Sequence, residues 1–235
     1  MIHLDRETNQ VMVEMDVSFI FFLKFKFYLF SVTKKRDAKD SGNDARETNH
    51  SDTGALTNEF TSFPEICEKT RQVLKTKGYR NLFPIQRECF YPMYERHDLI
   101  ARDLTGSGKT FAFGLPMIEY LRKNKHLKTG KLQAICLAPT RELALQITSE
   151  LSKLKHSVEE FRIVTVYGGV SVINQANALK SGADIFVGTT GRVLDHIERG
   201  NIDFHDVKSV ILDEADVMLK LGFKEDVEKI LEKCK

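Results

Sequence analysis

The chain has 235 residues, of which 42% are hydrophobic and 29% charged, a balance typical of a soluble globular protein with one or two domains. Its formal net charge of +2 is close to neutral, so charge alone does not indicate a nucleic-acid partner. Four cysteines, at positions 67, 89, 136 and 234, form no CxxC pair. This spacing predicts free thiols and excludes both a zinc-ribbon site and a disulfide framework.

The first sixty residues differ in composition from the rest. Residues 17–32 are an apolar run with six phenylalanines, interrupted at its centre by Lys24 and Lys26. The run is shorter than the roughly 20 residues of a membrane span. We therefore predict that residues 1–33 are an apolar extension that takes no part in ligand binding. A membrane anchor is the alternative, because the basic string Lys34-Lys35-Arg36 follows directly.

Residues 34–58 are rich in Ser, Asp, Asn, Lys and Thr, a composition that predicts a disordered linker. From residue 59 to 235 helical and extended patterns alternate, which predicts one folded lobe. The expected strands cover residues 99–101, 133–138, 163–166, 184–188 and 207–212. The expected helices cover residues 66–77, 141–156, 172–180, 193–199 and 223–233, with two more that begin at Pro84 and Lys109. This alternation predicts an α/β fold with a mostly parallel sheet covered by helices.

A glycine-rich turn follows the first of these strands and reads Thr105-Gly106-Ser107-Gly108-Lys109-Thr110. In a phosphate-binding loop, the glycines let backbone N–H groups converge on phosphate oxygens. The lysine reaches the β and γ phosphates, and the threonine hydroxyl ligates Mg²⁺. Asp103 stands where the pattern has glycine, and its carboxylate either repels phosphate or points away. The turn predicts a nucleoside-triphosphate site at the carboxyl ends of the strands.

Further short motifs occur in a fixed order. The acidic string Asp213-Glu214-Ala215-Asp216 follows the last expected strand, and four other segments begin at Phe83, Pro139, Gly168 and Thr189. They read Phe-Pro-Ile-Gln, Pro-Thr-Arg-Glu-Leu-Ala, Gly-Gly and Thr-Thr-Gly-Arg. With the phosphate loop, these segments make residues 60–235 resemble the first RecA-like lobe of the DEAD-box RNA helicases. A different P-loop NTPase would lack the first two of these segments.

The resemblance implies ATP and Mg²⁺ as cofactors and ATP hydrolysis as the reaction. Lys109, Asp213 and Glu214 are the implied catalytic residues, with Asp213 and Thr110 holding the metal ion and Glu214 orienting the attacking water. Gln86 is expected to pair with the edge of adenine. Phe60 is the candidate for stacking on the base.

The same resemblance implies single-stranded or structured RNA as a partner, bound through its sugar-phosphate backbone. The implied contacts are Pro139, Thr140, Arg141, Gly168, Gly169, Thr189, Gly191 and Arg192. Thr190 replaces the proline usual in the family, and we expect it to loosen that turn. Strings such as Leu-Phe-Pro-Ile-Gln are similar to the nucleolar RNA helicase 2 subgroup. That similarity suggests the nucleus or nucleolus, with the cytoplasm and the organelles as alternatives.

The chain stops at Lys235, before the Ser-Ala-Thr motif and the second lobe of the family. In the family, the strand with that motif lies between the phosphate-loop strand and the acidic strand. We therefore expect a gap in the sheet, with unpaired backbone groups that cost about 1–3 kcal/mol each. This predicts a truncated helicase. Two functions follow: an ATP-dependent RNA helicase, or a remnant that binds nucleotide or RNA without catalysis.

Overall fold

The computed structural model describes residues 2–4, 27–33, 59–104, 106–127, 129–157 and 160–234. Seven strands in these ranges form one sheet, in which every neighbouring pair runs parallel. The strands are β1 Ile2–Leu4, β2 Phe27–Thr33, β3 Leu99–Leu104, β4 Ala134–Ala138, β5 Ile163–Val166, β6 Ile185–Thr189 and β7 Ser209–Asp213. The predicted parallel α/β fold is thus confirmed.

Eight α-helices connect and cover the strands within the described ranges. They are α1 Glu68–Thr76, α2 Pro84–Tyr94, α3 Lys109–Lys123, α4 Arg141–Ser152, α5 Val172–Lys180, α6 Thr190–Glu198, α7 Ala215–Lys220 and α8 Lys224–Lys233. Side-chain caps define two of their starts: Thr140 Oγ1 accepts the Leu143 N–H at 3.2 Å, and Ser171 Oγ accepts the Asn174 N–H at 3.4 Å. A 3-10 turn covers Phe60–Ser62.

Most predicted elements lie within a few residues of the observed ones, and two, β5 and α5, have the predicted bounds. Helix α7 is not among the predicted elements. Its six residues directly follow the acidic string, and a helix this short leaves little periodic signal. Gly78 ends the first helical segment with a φ of 87°, as expected for a C-cap glycine.

The position of the N-terminal strand β2 in the sheet differs from what the sequence predicted. The sheet order is β1-β3-β2-β7-β4-β6-β5, so β2 lies between the phosphate-loop strand and the acidic strand. The predicted gap is therefore filled, and residues 27–33 belong to the same sheet as the lobe from residue 59 onward. These residues of the apolar run pair with β3 on one side and β7 on the other. Residues 1, 5–26 and the predicted linker 34–58 lie outside the described ranges.

Two hydrophobic cores lie on opposite faces of the sheet. Alternate residues of β4 supply them: Ala134, Cys136 and Ala138 pack with α1 to α4, whereas Ile135 and Leu137 pack with α6 to α8. Residues with a period of two must point to opposite faces of a strand, and both faces here are covered. This explains why the strands read as continuous apolar runs. In the part of the chain that is described, no helix is long and apolar enough to cross a membrane.

At Gly188, strand β6 lies close to helix α6, just before the candidate RNA-binding segment that begins at Thr189. A Cβ added there would lie 2.6 Å from Val193 Cγ2 and 3.0 Å from Val166 Cγ2. We expect Gly188→Ala to lower the free energy of unfolding by about 1–3 kcal/mol, because the core must shift to admit a methyl group. Chemical denaturation measures this change.

Gly191→Ala is the matched control for Gly188→Ala. A Cβ at Gly191 meets nothing within 4 Å, and the residue lies in α6. This substitution should leave stability unchanged or raise it by up to about 1 kcal/mol through helix propensity. Equal effects of the two substitutions would contradict the packing argument.

Candidate nucleotide-binding site

The turn between β3 and α3 has the backbone of an anion-binding loop. Gly106 and Gly108 have φ angles of 81° and 85°, in the left-handed region that favours glycine. The hydroxyl of Ser107 is buried and has no hydrogen-bond partner among the described residues. A buried hydroxyl without a partner is costly unless a ligand satisfies it. The predicted contact Thr105 lies outside the described residues.

Lys109 begins α3, and its Nζ donates a hydrogen bond to the backbone oxygen of Asp103 at 3.1 Å. Burial lowers the pKa of Lys109, while the nearby charges of Asp213 and Asp103 act in the opposite direction. The ammonium group is therefore partly removed from water and surrounded by acidic groups. Asp103 thus contacts this lysine through its backbone, and its carboxylate is one of the charges that favour the protonated lysine. Whether it repels phosphate stays a prediction.

Asp213 and Glu214 lie where β7 ends. Asp213 is only 3% exposed, and its Oδ1 accepts the Glu214 backbone N–H at 3.1 Å. Burial, followed by the charge of Glu214, raises the pKa of Asp213 to about 7, although Lys109 opposes this shift. Glu214 has a φ of 52°, which is unusual for a residue with a side chain. A cation near Asp213 would favour its ionised form.

Gln86 connects the Phe-Pro-Ile-Gln segment to the phosphate loop. Its Oε1 accepts the Phe83 N–H at 2.8 Å, and its Nε2 donates to the Gly108 carbonyl at 3.0 Å. A Cβ on Gly108 would collide with the Gln86 amide, so glycine is also required there for close approach. An amide has two N–H donors and two acceptor lone pairs. One of each is used within the protein, which leaves one donor and one acceptor for a base.

The expected stacking residue Phe60 has little exposed surface. Its side chain is 3% exposed and belongs to the core beneath α1 to α4. The aromatic side chain beside the loop is Phe83, which is 51% exposed and whose Cδ2 lies 2.8 Å from the position of a Cβ on Gly108. Phe83 therefore offers more exposed surface to a base, and the stacking role of Phe60 stays a prediction. Spacing along the chain could not show this, because the difference between the two rings is one of burial.

Three of the candidate RNA-binding segments follow β4, β5 and β6 at the carboxyl edge of the sheet. Arg141 is exposed at the start of α4, with its Cζ 4.6 Å from the centroid of the Tyr167 ring. Gly168 and Gly169 follow β5, and a Cβ at either position would meet nothing within 4 Å. Thr140 uses its hydroxyl as a helix cap, and Pro139 is buried. Parallel pairing thus brings these segments to one edge.

The Thr189–Arg192 segment is closely packed and hydrogen-bonded to its surroundings. Thr190 is 1% exposed, and its hydroxyl lies 3.8 Å from Met218 Sδ, so the substitution of proline by threonine leaves a packed turn. Arg192 donates to the Val170 carbonyl at 3.0 Å and to Gln175 Oε1 at 2.8 Å, with its side chain 14% exposed. The guanidinium therefore ties α6 to the turn before α5. Thr189 is partly buried at the end of β6.

A polar cluster that no spacing in the sequence indicates lies between α1, α3 and the turn after α4. Arg122 is 16% exposed and forms ion pairs with Glu119 and with Glu160, the latter at 2.7 Å. Cys67 Sγ, a carboxylate oxygen of Glu119 and a ring nitrogen of His156 lie within 4.8 Å of one another. These residues are far apart in sequence and show no ligand spacing. The guanidinium of Arg122 already neutralises Glu119, so the cluster is built as an internal ion-pair network.

The raised pKa of Asp213 predicts a pH-dependent stability. The folded pKa of about 7 exceeds the ordinary value of 3.8. The native state therefore retains a proton that the unfolded state loses as the pH rises between these values, and stability falls across that window. We expect Asp213→Asn to raise the free energy of unfolding by about 2–4 kcal/mol at pH 8 and by almost nothing below pH of about 4.

Denaturant titrations across this pH range test the expectation, with Asp195→Asn as the contrasting variant. The hydrogen bond from Arg199 lowers the pKa of Asp195, so its carboxylate stabilises the native state above its ordinary pKa. Asp195→Asn should thus lower stability at pH 8, the opposite sign. A pH-independent effect of Asp213→Asn would contradict the assignment.

Comparison with known proteins agrees with this geometry. The chain is 44% identical over 174 residues to the human ATP-dependent RNA helicase DDX50, covering 73% of this chain and 23% of that protein. It is 43% identical over 174 residues to rat nucleolar RNA helicase 2, covering 73% and 22%. The crystal structure of a DEAD box protein from Methanococcus jannaschii superposes with a TM-score of 0.68 at 38% identity, covering 75% of this chain and 47% of that one.

The match to these proteins is confined to part of their length, since the chain spans less than a quarter of either of the two named relatives. The model of the DEAD/DEAH box helicase family matches residues 83–235, about two thirds of the chain. The chain therefore belongs to the DEAD/DEAH box helicase family, of which it carries the first RecA-like lobe.

Proposed function

We propose that this chain is the ATP-binding lobe of an ATP-dependent RNA helicase. The observation that carries the proposal is the convergence of Lys109 and Asp213, both withdrawn from water, at one edge of a parallel sheet. The Ser107 hydroxyl lies in the turn before Lys109 and has no hydrogen-bond partner among the described residues, which supports an anionic ligand there. Lys109 and the positive end of α3 would neutralise the β and γ phosphates.

The donor set at this edge fits Mg²⁺, because hard cations prefer carboxylate and hydroxyl oxygens. Thr110, in the first turn of α3, and Asp213, at the end of β7, would hold the ion between them. When bound, Mg²⁺ supplies positive charge that offsets the charge developing on the phosphate oxygens. It would also keep Asp213 ionised at neutral pH, against the effect of burial.

Glu214 is the proposed group that orients the attacking water. Its backbone is held by the hydrogen bond to Asp213 and by the left-handed conformation that starts α7. The charge of Glu214 acts on Asp213, which supports a carboxylate close to that site. Orientation of water by a fixed carboxylate is a positioning effect, which is the main contribution a protein makes to phosphoryl transfer.

Adenine is the proposed base. The remaining N–H and lone pair of the Gln86 amide match the donor and acceptor on the edge of adenine, and guanine presents the reverse pattern. Phe83, exposed beside the same loop, is the proposed stacking surface in place of Phe60. Because Gln86 also bonds to Gly108, base recognition and loop conformation would be linked through one side chain.

RNA is proposed to run along the carboxyl edge of β4, β5 and β6. Arg141 supplies an exposed positive charge there, and the open backbone at Gly168 and Gly169 admits a close approach by phosphate groups. Such contacts position a strand without reading its sequence. The similarity to nucleolar RNA helicase 2 is the basis for proposing a nuclear or nucleolar location.

The proposed nucleotide site is tested with Lys109→Ala. We expect this substitution to weaken binding of Mg²⁺-ATP by about tenfold to a hundredfold, since it removes a charged hydrogen bond to phosphate. Isothermal titration calorimetry gives the affinities. Lys123→Ala at the other end of α3 is the matched control, and its affinity should equal that of the parent chain.

Unchanged ATP affinity in Lys109→Ala would overturn the site assignment. A second assay of phosphate release, in the presence and absence of RNA, separates hydrolysis from binding. ATP binding without hydrolysis would favour the alternative function, a module that binds nucleotide only.

The proposed RNA edge is tested with Arg141→Ala. Loss of one phosphate contact should weaken binding of a single-stranded oligouridine by about three- to tenfold and reduce the salt dependence of binding by about one ion. Fluorescence anisotropy at several salt concentrations measures both. Arg199→Ala, at an exposed position at the end of α6, removes the same charge away from this edge and serves as the control. Equal losses in the two variants would mean that only net charge matters.

A further inference from the structure

Within the described residues, the N-terminal strand β2 is the strand that lies between the phosphate-loop strand β3 and the acidic strand β7 and pairs with both. It pairs with β3 over six positions, from Tyr28 opposite Leu99 to Thr33 opposite Leu104. It pairs with β7 over four positions, from Phe27 opposite Val210 to Phe30 opposite Asp213. Strands β3 and β7 thus meet through β2, and their separation is two interstrand spacings, about 9.6 Å.

The register gives β2 a second geometrical role. Phe30 stands opposite both Ala101 and Asp213, so the acidic motif is level with the middle of the phosphate-loop strand. Ser31, Val32 and Thr33 continue past Asp213 toward the carboxyl edge, alongside Arg102, Asp103 and Leu104. This last segment of β2 therefore lies between the start of the phosphate loop and the acidic pair.

The backbone N–H and C=O groups of β3 and β7 find their hydrogen-bond partners on β2. The residues of β3 and β7 that face β2 are deeply buried, and Ala101, Val210 and Ile211 have no exposed surface. Without β2, the N–H and C=O groups of β3 and β7 that face it would lose their hydrogen-bond partners. The residue types of β2, with Phe, Tyr, Leu, Val and Thr in a continuous run, are those that a central parallel strand favours.

We propose that Phe27–Thr33 is a positioning strand of the nucleotide site, which sets the spacing and register between the phosphate loop and Asp213. Thr110 follows from β3 and Asp213 ends β7, so only a fixed separation of these strands lets both residues reach one Mg²⁺ ion. This inference rests on the proposed nucleotide site. It assigns to a segment far upstream of the family match a direct part in building that site.

The placement itself is tested by hydrogen–deuterium exchange on the full chain without nucleotide. Amides of Tyr28–Phe30 should exchange as slowly as those of Ala134–Leu137 in β4, because both segments are paired with a neighbouring strand on each side. Complete exchange of residues 27–33 at the earliest time point, with β4 protected, would overturn the proposal. This readout does not depend on ATP binding, so its outcome is separate from that of the Lys109 test.

The positioning role is tested with Leu29→Pro in the full chain. Proline in a central strand removes a ladder hydrogen bond, whereas the matched control Leu29→Ile retains the backbone donor and suits a strand. The measured quantity is the ratio of ATP affinities with and without Mg²⁺. We expect Leu29→Pro to reduce this ratio by about tenfold or more, because the ion loses a well-placed ligand, and Leu29→Ile to leave it unchanged.

The ratio distinguishes positioning from general destabilisation. Partial unfolding lowers both affinities by the same factor and leaves their ratio at the parent value, which would overturn the proposal. If Leu29→Pro does not fold, the exchange experiment on the parent chain decides. A parent chain that binds ATP through Lys109 but shows an unprotected β2 would leave the proposed nucleotide site standing and remove this inference alone.

Discussion

Parallel pairing of the strands is the constraint on which the rest of the structure depends. Because all seven strands point the same way, the turns that follow β3, β4, β5, β6 and β7 open at one edge of the sheet. Each turn carries one of the short motifs, so residues up to about a hundred positions apart in sequence become neighbours. A reversal or loss of one strand would move a motif away from this edge, or shift its side chains to the other face.

Electrostatics at this edge follow from burial rather than from net charge. The chain is almost neutral as a whole, yet Lys109, Asp213 and Glu214 are brought together where water is scarce. Burial disfavours both the lysine cation and the Asp213 anion, and their mutual attraction offsets this effect in part. Binding a metal ion with a polyphosphate would relieve both effects at once. The same feature that lowers the stability of the lobe thereby favours its ligand.

Several side chains expected to face a ligand are also bound within the protein. Gln86 joins the N-terminus of α2 to Gly108, and Arg192 joins α6 to the turn at Val170. In both cases a polar side chain fixes the backbone of a candidate binding loop, which pre-organises it. Substitution of such a residue would change loop conformation as well as any direct contact, so measurements on these positions report both. Arg141 and Lys109 are the cleaner probes of RNA and nucleotide contact.

The sequence by itself determined the alternation of helices and strands, the phosphate loop and the acidic string, since each is a local pattern of apolar spacing, glycines or charges. It also determined the family, because several such motifs occur in a fixed order. Only the tertiary structure decided which aromatic side chain is exposed, Phe83 rather than Phe60, since burial depends on packing partners distant in sequence. It alone placed β2 between β3 and β7. The sequence of an apolar run does not specify which strands it will pair with. Its position in the sheet depends on which buried strands lack a hydrogen-bonding neighbour.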